Sequence, residues 1–433
     1  MIQRLFALFL FASFVSPIPA QTKVYHEEQI NTFFTELKQA STRTFKLWNK
    51  NLYGPILLVD PGTRKLYANE PDLQGGLQYS THIYIGILPQ EVNFSNTALD
   101  WNGKRWAMIM LPLPEHRDDR INLLAHESFH RIQPELGFKL NNANNNHLDE
   151  KDGRISLRLE FEALKKALAS SDKKEIKKHL RSALYFRKFR HQQFEKAAEN
   201  ENLLELNEGI AEYTGIIVSS RDDQSTKSYL TKGMDRSLRN RTFVRSFAYQ
   251  TIPSYGYLLF KQDKKWNKKI NATTDLTDYF MKRFATLIPS TTEKDFKDLA
   301  LKYNGQVIFD EENERDSENK RLIKEHKTKF VESPHFEIAF EMMNYSFDPR
   351  AIIPVENFGT YYPTTRITDI WGILTVEKGA LISPDWKKVS LSMPISIDNN
   401  VVKGDGWVLE LSGNYTIEVD QQKNKYLKKM EVR

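Results

Sequence analysis

The stretch that decides the fold is "LLAHESFHRIQPELGF", residues 123–138, in which His126 and His130 stand four residues apart and Glu127 follows the first histidine. On an α-helix, residues four apart lie one above the other on the same face. Both imidazoles can therefore turn toward one zinc ion, while Glu127 lies one position around the helix. The alternative is an ordinary half-buried helix on which the two histidines are only hydrogen-bonded.

The chemistry that this pattern predicts is hydrolysis of an amide bond. A zinc ion lowers the pKa of a bound water to about 7, and a glutamate beside it can take the water's proton as the water attacks a carbonyl. Glu127 is the candidate general base. A catalytic zinc site normally has three protein ligands and one open position, so the two histidines need a third ligand from elsewhere in the chain.

The third ligand is expected in "ELNEGIAEYTG", residues 205–215, where Glu208 and Glu212 lie one turn apart on an otherwise apolar helix. Burying two carboxylates is costly unless a positive group meets them. A zinc ion for Glu208, and the N–H of a ligand histidine for Glu212, would satisfy both. The alternative is that both acids face solvent or an arginine.

A second candidate for the third ligand is Glu160 in "LRLEFEAL", residues 157–164. Its other expected role is a salt bridge with Arg154 or Arg158. The sequence leaves the choice between Glu208 and Glu160 open.

Hydrophobic spacing along the chain predicts an α+β fold. Apolar residues at helical spacing indicate a helix after the N-terminal segment, short apolar runs indicate a small sheet, and long amphipathic segments follow. Asp118 and Asp119 are expected to cap the helix of the histidines, which must end before Pro134. The predicted parts are a helix at 27–50, a sheet at 55–112 that begins with a hairpin at 55–69, helices at 155–170, 173–198, 201–220 and 246–262, a loop at 141–154, and alternating strands from about 335.

These elements predict a catalytic unit followed by a C-terminal β-sandwich-like domain. The charged stretch between them, "DEENERDSENKRLIKEHKT", is typical of a solvated helix or a linker. The expected boundaries are a signal peptide at 1–20, an N-terminal helix and sheet at 21–115, a helical metal-binding part at 116–309, the linker or helix at 310–330, and the β domain at 331–433.

Composition and charge restrict the location and the partners. The chain starts "MIQRLFALFLFASFVSPIPA", a charged start followed by a short apolar run and a small residue, which is typical of a secretory signal peptide. No later apolar run is long enough to span a membrane, and the absence of cysteine excludes disulfides. The net charge of +6 is spread along the chain, which disfavours nucleic acid as a partner. We therefore expect a secreted or periplasmic protein with no membrane span after removal of the signal. The alternative is an N-terminal membrane anchor, for which the apolar run is short.

"HESFH" followed by "LNEGIAEY" resembles the zincin metallopeptidases of the gluzincin type. The resemblance covers mainly residues 100–260. It implies a zincin-like core in which His126, His130 and Glu208 bind Zn²⁺, Glu127 is the general base, and Glu212 orients a ligand histidine from outside the metal shell. The gap between His130 and Glu208 is much longer than is typical of that family.

The resemblance also implies a substrate-lining sheet edge and a group that stabilises the oxyanion. The strand "KRWAMIMLPLP", residues 104–114, would occupy the place of that edge. Tyr255 is the residue assigned to the oxyanion. The other candidates are Tyr213, Tyr249 and His147.

The function that these patterns predict is that of an exported zinc metallopeptidase acting on peptide or protein substrates. The alternative is a zincin-like binding module of the periplasm or cell surface without catalytic activity. A third interpretation is a zinc hydrolase of non-peptide amides or esters.

Overall fold

The structure, a computed structural model, describes residues 25–89, 92, 94–139, 143–288, 292–347, 352–412 and 415–430. The signal peptide predicted at 1–20 lies outside these residues. Within them, no helix combines the length and the apolar character needed to cross a membrane.

The chain divides into two compact units. The first runs to Gln133 and includes Val218–Ser220, and the second comprises 134–217 and the chain from Arg221 onward. The domain boundaries expected at 115, 309 and 330 stay predictions.

The first unit contains two helices and a six-stranded mixed sheet. Helix α1 covers Glu27–Arg43 and helix α2 covers Arg117–Ile132. The strands are β1 Ile56–Val59, β2 Lys65–Ala68, β3 Gln78–Ser80, β4 Ile83–Ile87, β5 Thr97–Trp101 and β6 Lys104–Met110. Their order is β3-β4-β2-β1-β6-β5, with β1 and β6 parallel and the other neighbours antiparallel. The predicted hairpin is the β1–β2 pair.

Two features of this sheet differ from the sequence-based expectation. Strands β3 and β5 were not predicted, since neither contains a fully buried residue and neither shows apolar alternation. The predicted edge strand is β6, which lies between β1 and β5 and is therefore interior. Its central residues, Trp106–Ile109, are fully buried, as an interior position requires.

Helix α2 packs against β5, β6 and α1. Its N-cap residue is His116, whose side chain makes no capping hydrogen bond, and Asp118 and Asp119 lie inside the first turn. The predicted N-cap was therefore wrong, although acidic residues in a first turn still favour the helix dipole. The helix ends at Ile132, before Pro134, as predicted. It is buried almost all around from Leu124 to His130.

The second unit begins with helices that hold the remaining candidate residues. They are α3 Lys151–Ala169, α4 Lys173–Gln193, α5 Ala197–Leu204, α6 Ile210–Ser219 (whose last two residues belong to the first unit), α7 Asp223–Ser237, α8 Ala248–Phe260, α9 Leu276–Arg283, α10 Glu293–Ala300 and α11 Gly305–Lys327. A π-helical segment, Glu205–Gly209, joins α5 to α6.

Several helix boundaries differ from the prediction. The segment 173–198 divides into α4 and the start of α5, and 201–220 contains the π-helical segment instead of one continuous helix. Helix α8 runs through Pro253, where the proline predicts an interruption. Helix α3 starts at Lys151, so the predicted loop at 141–154 ends earlier than expected. The charged stretch forms part of a helix, α11.

The C-terminal part is rich in sheet, as predicted. Its strands are β7 Phe336–Ala339, β8 Asn344–Phe347, β9 Ile353–Val355, β10 Gly359–Tyr362, β11 Thr365–Asp369, β12 Gly372–Val376, β13 Ala380–Ile382, β14 Lys388–Leu391, β15 Pro394–Asp398, β16 Val401–Gly404, β17 Trp407–Leu411, β18 Tyr415–Val419 and β19 Lys425–Lys429.

These strands form two sheets. The seven-stranded sheet has the order β18-β19-β7-β14-β13-β10-β9 and contains one parallel pair, β19 with β7. The six-stranded sheet, β15-β16-β17-β12-β11-β8, is antiparallel throughout. Residues of both sheets share one apolar core that includes Phe336, Trp371 and Trp407. The molecule is therefore α+β with a sheet-rich C-terminal part, as the sequence predicted.

Candidate metal centre

Helix α2 brings the two histidines of the first motif together. His126 and His130 are both buried, and their Nε2 atoms lie 3.1 Å apart. In a tetrahedral zinc site with Zn–N bonds of 2.0–2.1 Å, two ligand nitrogens are about 3.3 Å apart. The two imidazoles are therefore spaced as ligands of one ion would be.

The orientation of the His130 ring is set by Gln133. The Nδ1–H of His130 donates to the side-chain oxygen of Gln133 at 2.8 Å, and Gln133 is fully buried. A proton on Nδ1 leaves the lone pair of Nε2 directed toward His126, which is the tautomer that a metal ligand needs. Sequence reasoning missed Gln133, although its spacing of three residues from His130 places it one turn further along.

Glu127 lies next to His126 on the same helix and is buried, with 5% of its surface exposed. Only a strong local interaction makes burial of a carboxylate tolerable. Its assignment as general base is a question of chemistry and stays a prediction.

The π-helical segment places Glu208. The side chain is buried, the Tyr249 hydroxyl donates to its Oε2 atom at 2.6 Å, and the Arg245 guanidinium lies 3.7 Å from its Oε1 atom. A π-helical turn inside an α-helix is rare and occurs frequently at functional sites. Tyr249 was one of several tyrosine candidates in the sequence, and its contact with Glu208 distinguishes it from the others.

Hydrogen bonds to Glu205 and the close packing of Gly209 fix the π-helical segment against its neighbours. Arg187 donates two hydrogen bonds to Glu205, at 2.9 and 2.6 Å, and the Thr251 hydroxyl donates a third at 2.6 Å. A Cβ atom on Gly209 would lie 2.8 Å from the Cβ of Ile252, closer than real Cβ contacts. The absence of a side chain at Gly209 thus lets the segment approach helix α8, which carries Tyr249.

His126, His130 and Glu208 form a buried group that could hold a metal ion. Each offers one ligand atom, and the three atoms lie within 4.8 Å of one another. In a tetrahedral site, ligand atoms about 2.0–2.2 Å from the ion lie about 3.3 Å apart. The donor set therefore fits a metal ion.

Glu160, the other candidate ligand, is not a member of this group. It is fully buried and accepts hydrogen bonds from Arg187 at 2.8 Å and from Arg190 at 2.9 Å. The expected salt bridges with Arg154 and Arg158 were wrong, because these two arginines pair with Glu311 and Glu312.

Tyr255 belongs to the surroundings of Glu160. Its ring is fully buried and its hydroxyl donates to Glu160 Oε1 at 2.9 Å. Burial, and next the Glu160 carboxylate, raises the pKa of Tyr255 well above its usual value, so the hydroxyl stays a neutral donor. The hydroxyl of Tyr255 thus donates to a carboxylate that is not a member of the candidate metal group.

The remaining candidates have other partners. Glu212 is buried and accepts a hydrogen bond from the Tyr229 hydroxyl at 3.2 Å, while its expected contact with a histidine stays a prediction. His147 Nε2 lies 2.7 Å from Glu201, and Tyr213 is buried against Trp266.

A buried ionic network beside the candidate site was also missed. It contains three carboxylates and two arginines, Glu160, Glu201, Glu205, Arg187 and Arg190. Against the effect of burial, the carboxylates hold the pKa of Arg187 well above its usual range. Arg190 in turn, with His191, outweighs burial and holds the pKa of Glu201 well below its usual range. The signal in the sequence was the pair of arginines one turn apart among apolar residues of α4.

Comparison of the chain with protein-family models, with curated proteins and with solved structures found no match.

Proposed function

We propose that the protein is an exported zinc metallopeptidase. The observation that carries the proposal is the buried group of His126, His130 and Glu208, with Glu127 directly after the first ligand. Two imidazoles and one carboxylate are the ligand set of zinc peptidases such as those with a His-Glu-x-x-His motif. The resemblance to the gluzincins supports the same three ligands and the same metal.

A zinc ion, when bound, acidifies a coordinated water and polarises a carbonyl oxygen. Glu127 then accepts the proton of the attacking water and returns it to the leaving amine nitrogen, since it lies one position around the helix from the ligand pair. Gln133 keeps His130 in the tautomer that leaves Nε2 free for the metal.

We assign the stabilisation of the oxyanion to Tyr249. Its hydroxyl donates to Glu208 at 2.6 Å, so it lies beside the proposed third ligand. Once Glu208 binds the metal, this hydroxyl can turn to the substrate oxygen as the negative charge develops. Glu212 keeps its proposed role of orienting a histidine, which its burial and its position one turn from Glu208 support.

The test is cleavage of a broad peptide library by the purified protein, with and without a chelator. We expect zinc-dependent cleavage by the wild type and none by the Glu127→Gln variant, which removes the base and keeps the volume of the side chain. Zinc content measured on the same samples serves as the control and should be equal for the two proteins. Cleavage by Glu127→Gln at the wild-type rate would contradict the role of Glu127.

The alternative is a binding module without catalytic activity, and the sheet-rich C-terminal part is the observation that favours it. Zinc-loaded protein that leaves the whole library intact would support this alternative. Hydrolysis of small amides or esters by such a protein would instead indicate a non-peptide substrate.

A further inference from the structure

The connection between helices α7 and α8, residues 238–247, carries three arginines, Arg239, Arg241 and Arg245. One of them, Arg245, lies 3.7 Å from the proposed metal ligand Glu208. The segment leads directly into the helix that contains Tyr249. The charge of Arg245 therefore lies beside the proposed metal ligand.

The backbone of this connection is fixed by contacts with three other elements. The amide of Phe243 donates to Asp149 at 2.8 Å, and the carbonyl of Arg241 accepts hydrogen bonds from Arg154 at 3.2 Å and from Arg315 at 3.3 Å. The Arg154 guanidinium also stacks on the Phe243 ring at 3.7 Å. The Arg241 carbonyl, the Phe243 amide and the Phe243 ring are all held by neighbouring residues. The position of Arg245, two residues after Phe243, is therefore defined.

Arg245 faces Glu208 without forming a hydrogen bond to it. The separation of 3.7 Å between Arg245 Nη2 and Glu208 Oε1 exceeds the hydrogen-bond range, and 54% of the Arg245 side chain is exposed. The Tyr249 hydroxyl lies closer to Glu208, at 2.6 Å. Arg245 is thus an accessible guanidinium from which no residue that the structure describes accepts a hydrogen bond within normal range.

Metal binding would leave this guanidinium available. A divalent ion at Glu208 neutralises the carboxylate that now attracts Arg245. The planar fork of an arginine matches a carboxylate with two parallel hydrogen bonds, which a lysine does not reproduce.

We propose that Arg245 binds a carboxylate of the substrate, so that the site prefers peptides with a carboxylate close to the scissile bond. This inference rests on the proposed function and deepens it, because it names the class of substrate. The carboxylate has two sources with the same chemistry, the C-terminus of the peptide or an Asp or Glu side chain. Arg245 acts as a specificity residue, while Glu127 carries the chemistry.

The experiment measures peptide binding by zinc-loaded Glu127→Gln protein, in which ligands are not consumed. Three N-acetylated peptides are titrated. The first has a free C-terminus, the second is its C-terminal amide, and the third is the same amide with Glu in place of the last residue. The free acid reports the C-terminal source and the Glu amide reports the side-chain source. We expect Arg245→Ala to weaken at least one of these two about 10- to 100-fold, as for loss of a hydrogen bond between charged groups, and to leave the simple amide unchanged. Arg245→Lys should restore part of the affinity.

The matched control is Arg239→Ala, which removes an arginine of the same segment. It should bind all three peptides as the parent does. Equal affinity of the parent for the three peptides, or equal weakening of all three by Arg245→Ala, would overturn the inference. Wild-type protein that binds zinc but cleaves no peptide would overturn the proposed function and leave the carboxylate site standing, so the two failures are distinguishable.

Discussion

At the scale of single residues, Gln133 shows how the candidate site depends on groups that do not bind metal themselves. Its side-chain oxygen accepts the Nδ1–H of His130 and thereby selects the nitrogen that faces His126. Outer partners of this kind orient the ring and raise the basicity of the ligand.

Substitution of Gln133 by Leu should lower zinc affinity about 10- to 100-fold, because the tautomer and the ring orientation of His130 are no longer fixed. Competition with a chromophoric chelator measures the affinity. Circular dichroism of the metal-free variant checks that the fold is kept. Unchanged affinity in a folded variant would show that Gln133 has no role at the metal.

Tyr249 and Tyr255 give a matched pair of tyrosines that differ in their partners. Tyr249→Phe should reduce kcat about 100-fold or more with zinc content unchanged, since one oxyanion donor is lost. Tyr255→Phe should leave kcat nearly unchanged and lower stability, because its hydroxyl donates to Glu160 in a buried network. Steady-state kinetics and denaturant unfolding of both variants measure this. The reverse pattern would restore Tyr255 as the catalytic tyrosine.

The three residues of the candidate metal group were named from the sequence, with Glu160 left open as an alternative to Glu208, and their partners were not. The spacing of His126 and His130 fixes their common helix face, and two acids on an apolar helix point to Glu208. Nothing in the local pattern distinguishes Tyr255 from Tyr249, because both lie in an aromatic helix and only tertiary packing decides which one reaches Glu208.

At the scale of elements, the π-helical segment Glu205–Gly209 is the feature that places the proposed third ligand. Its approach to helix α8 depends on Gly209, where a Cβ would lie 2.8 Å from the Cβ of Ile252 and 3.0 Å from the carbonyl oxygen of Ala248. The backbone of Ala248 and the branched side chain of Ile252 cannot move aside as easily as the end of a long, flexible side chain can.

We expect Gly209→Ala to cost about 1–3 kcal/mol of stability and to weaken zinc binding, because the segment must move away from α8 together with Glu208. The control is Gly233→Ala in helix α7, whose Cβ would meet only the end of the Gln250 side chain. At Gly233, the gain in helix propensity of up to about 1 kcal/mol offsets the cost of displacing the Gln250 side chain. Urea unfolding and chelator competition compare the two variants. Equal zinc affinity in both would contradict the role of the segment.

Helices α1, α2, α3, α4 and α8 were predicted as separate segments. Helices α7, α9 and α10 were not, and neither were the short strands β3 and β5. Strands β3 and β5 contain no fully buried residue, so no alternation marks them. The π-helical segment has no periodicity of its own in five residues. It is held by Arg187 and Thr251, which come from other helices and cannot be read from the local sequence.

At the scale of the whole molecule, the α+β character and the sheet-rich C-terminal part followed from the change of hydrophobic period along the chain. The buried ionic network did not, because it joins Glu160 of α3, Arg187 and Arg190 of α4 and Glu205 before α6. Long-range charge pairing depends on how helices pack, and arginines near in sequence, such as Arg158, were the wrong partners.

Substitution of Arg187 by Met should destabilise the protein by about 3–5 kcal/mol, since Glu205 would stay buried without its paired arginine and Glu160 would keep only Arg190. The control is Arg321→Met on helix α11, where an exposed arginine pairs with Glu318 and Glu325. Surface ion pairs contribute little, so this variant should unfold almost as the wild type does. Guanidinium unfolding compares both. An equal, small loss in the two variants would show that the network does not hold the helices together.

The central claim is a metal site built by His126, His130 and Glu208, and its most direct test is the zinc content of purified protein. We predict one zinc per chain in the wild type and in Glu160→Ala, if that variant folds, and loss of zinc in His126→Ala and Glu208→Ala. Loss of zinc in folded Glu160→Ala but not in Glu208→Ala would contradict the ligand assignment, and equally little zinc in the wild type and His126→Ala would contradict the existence of the site.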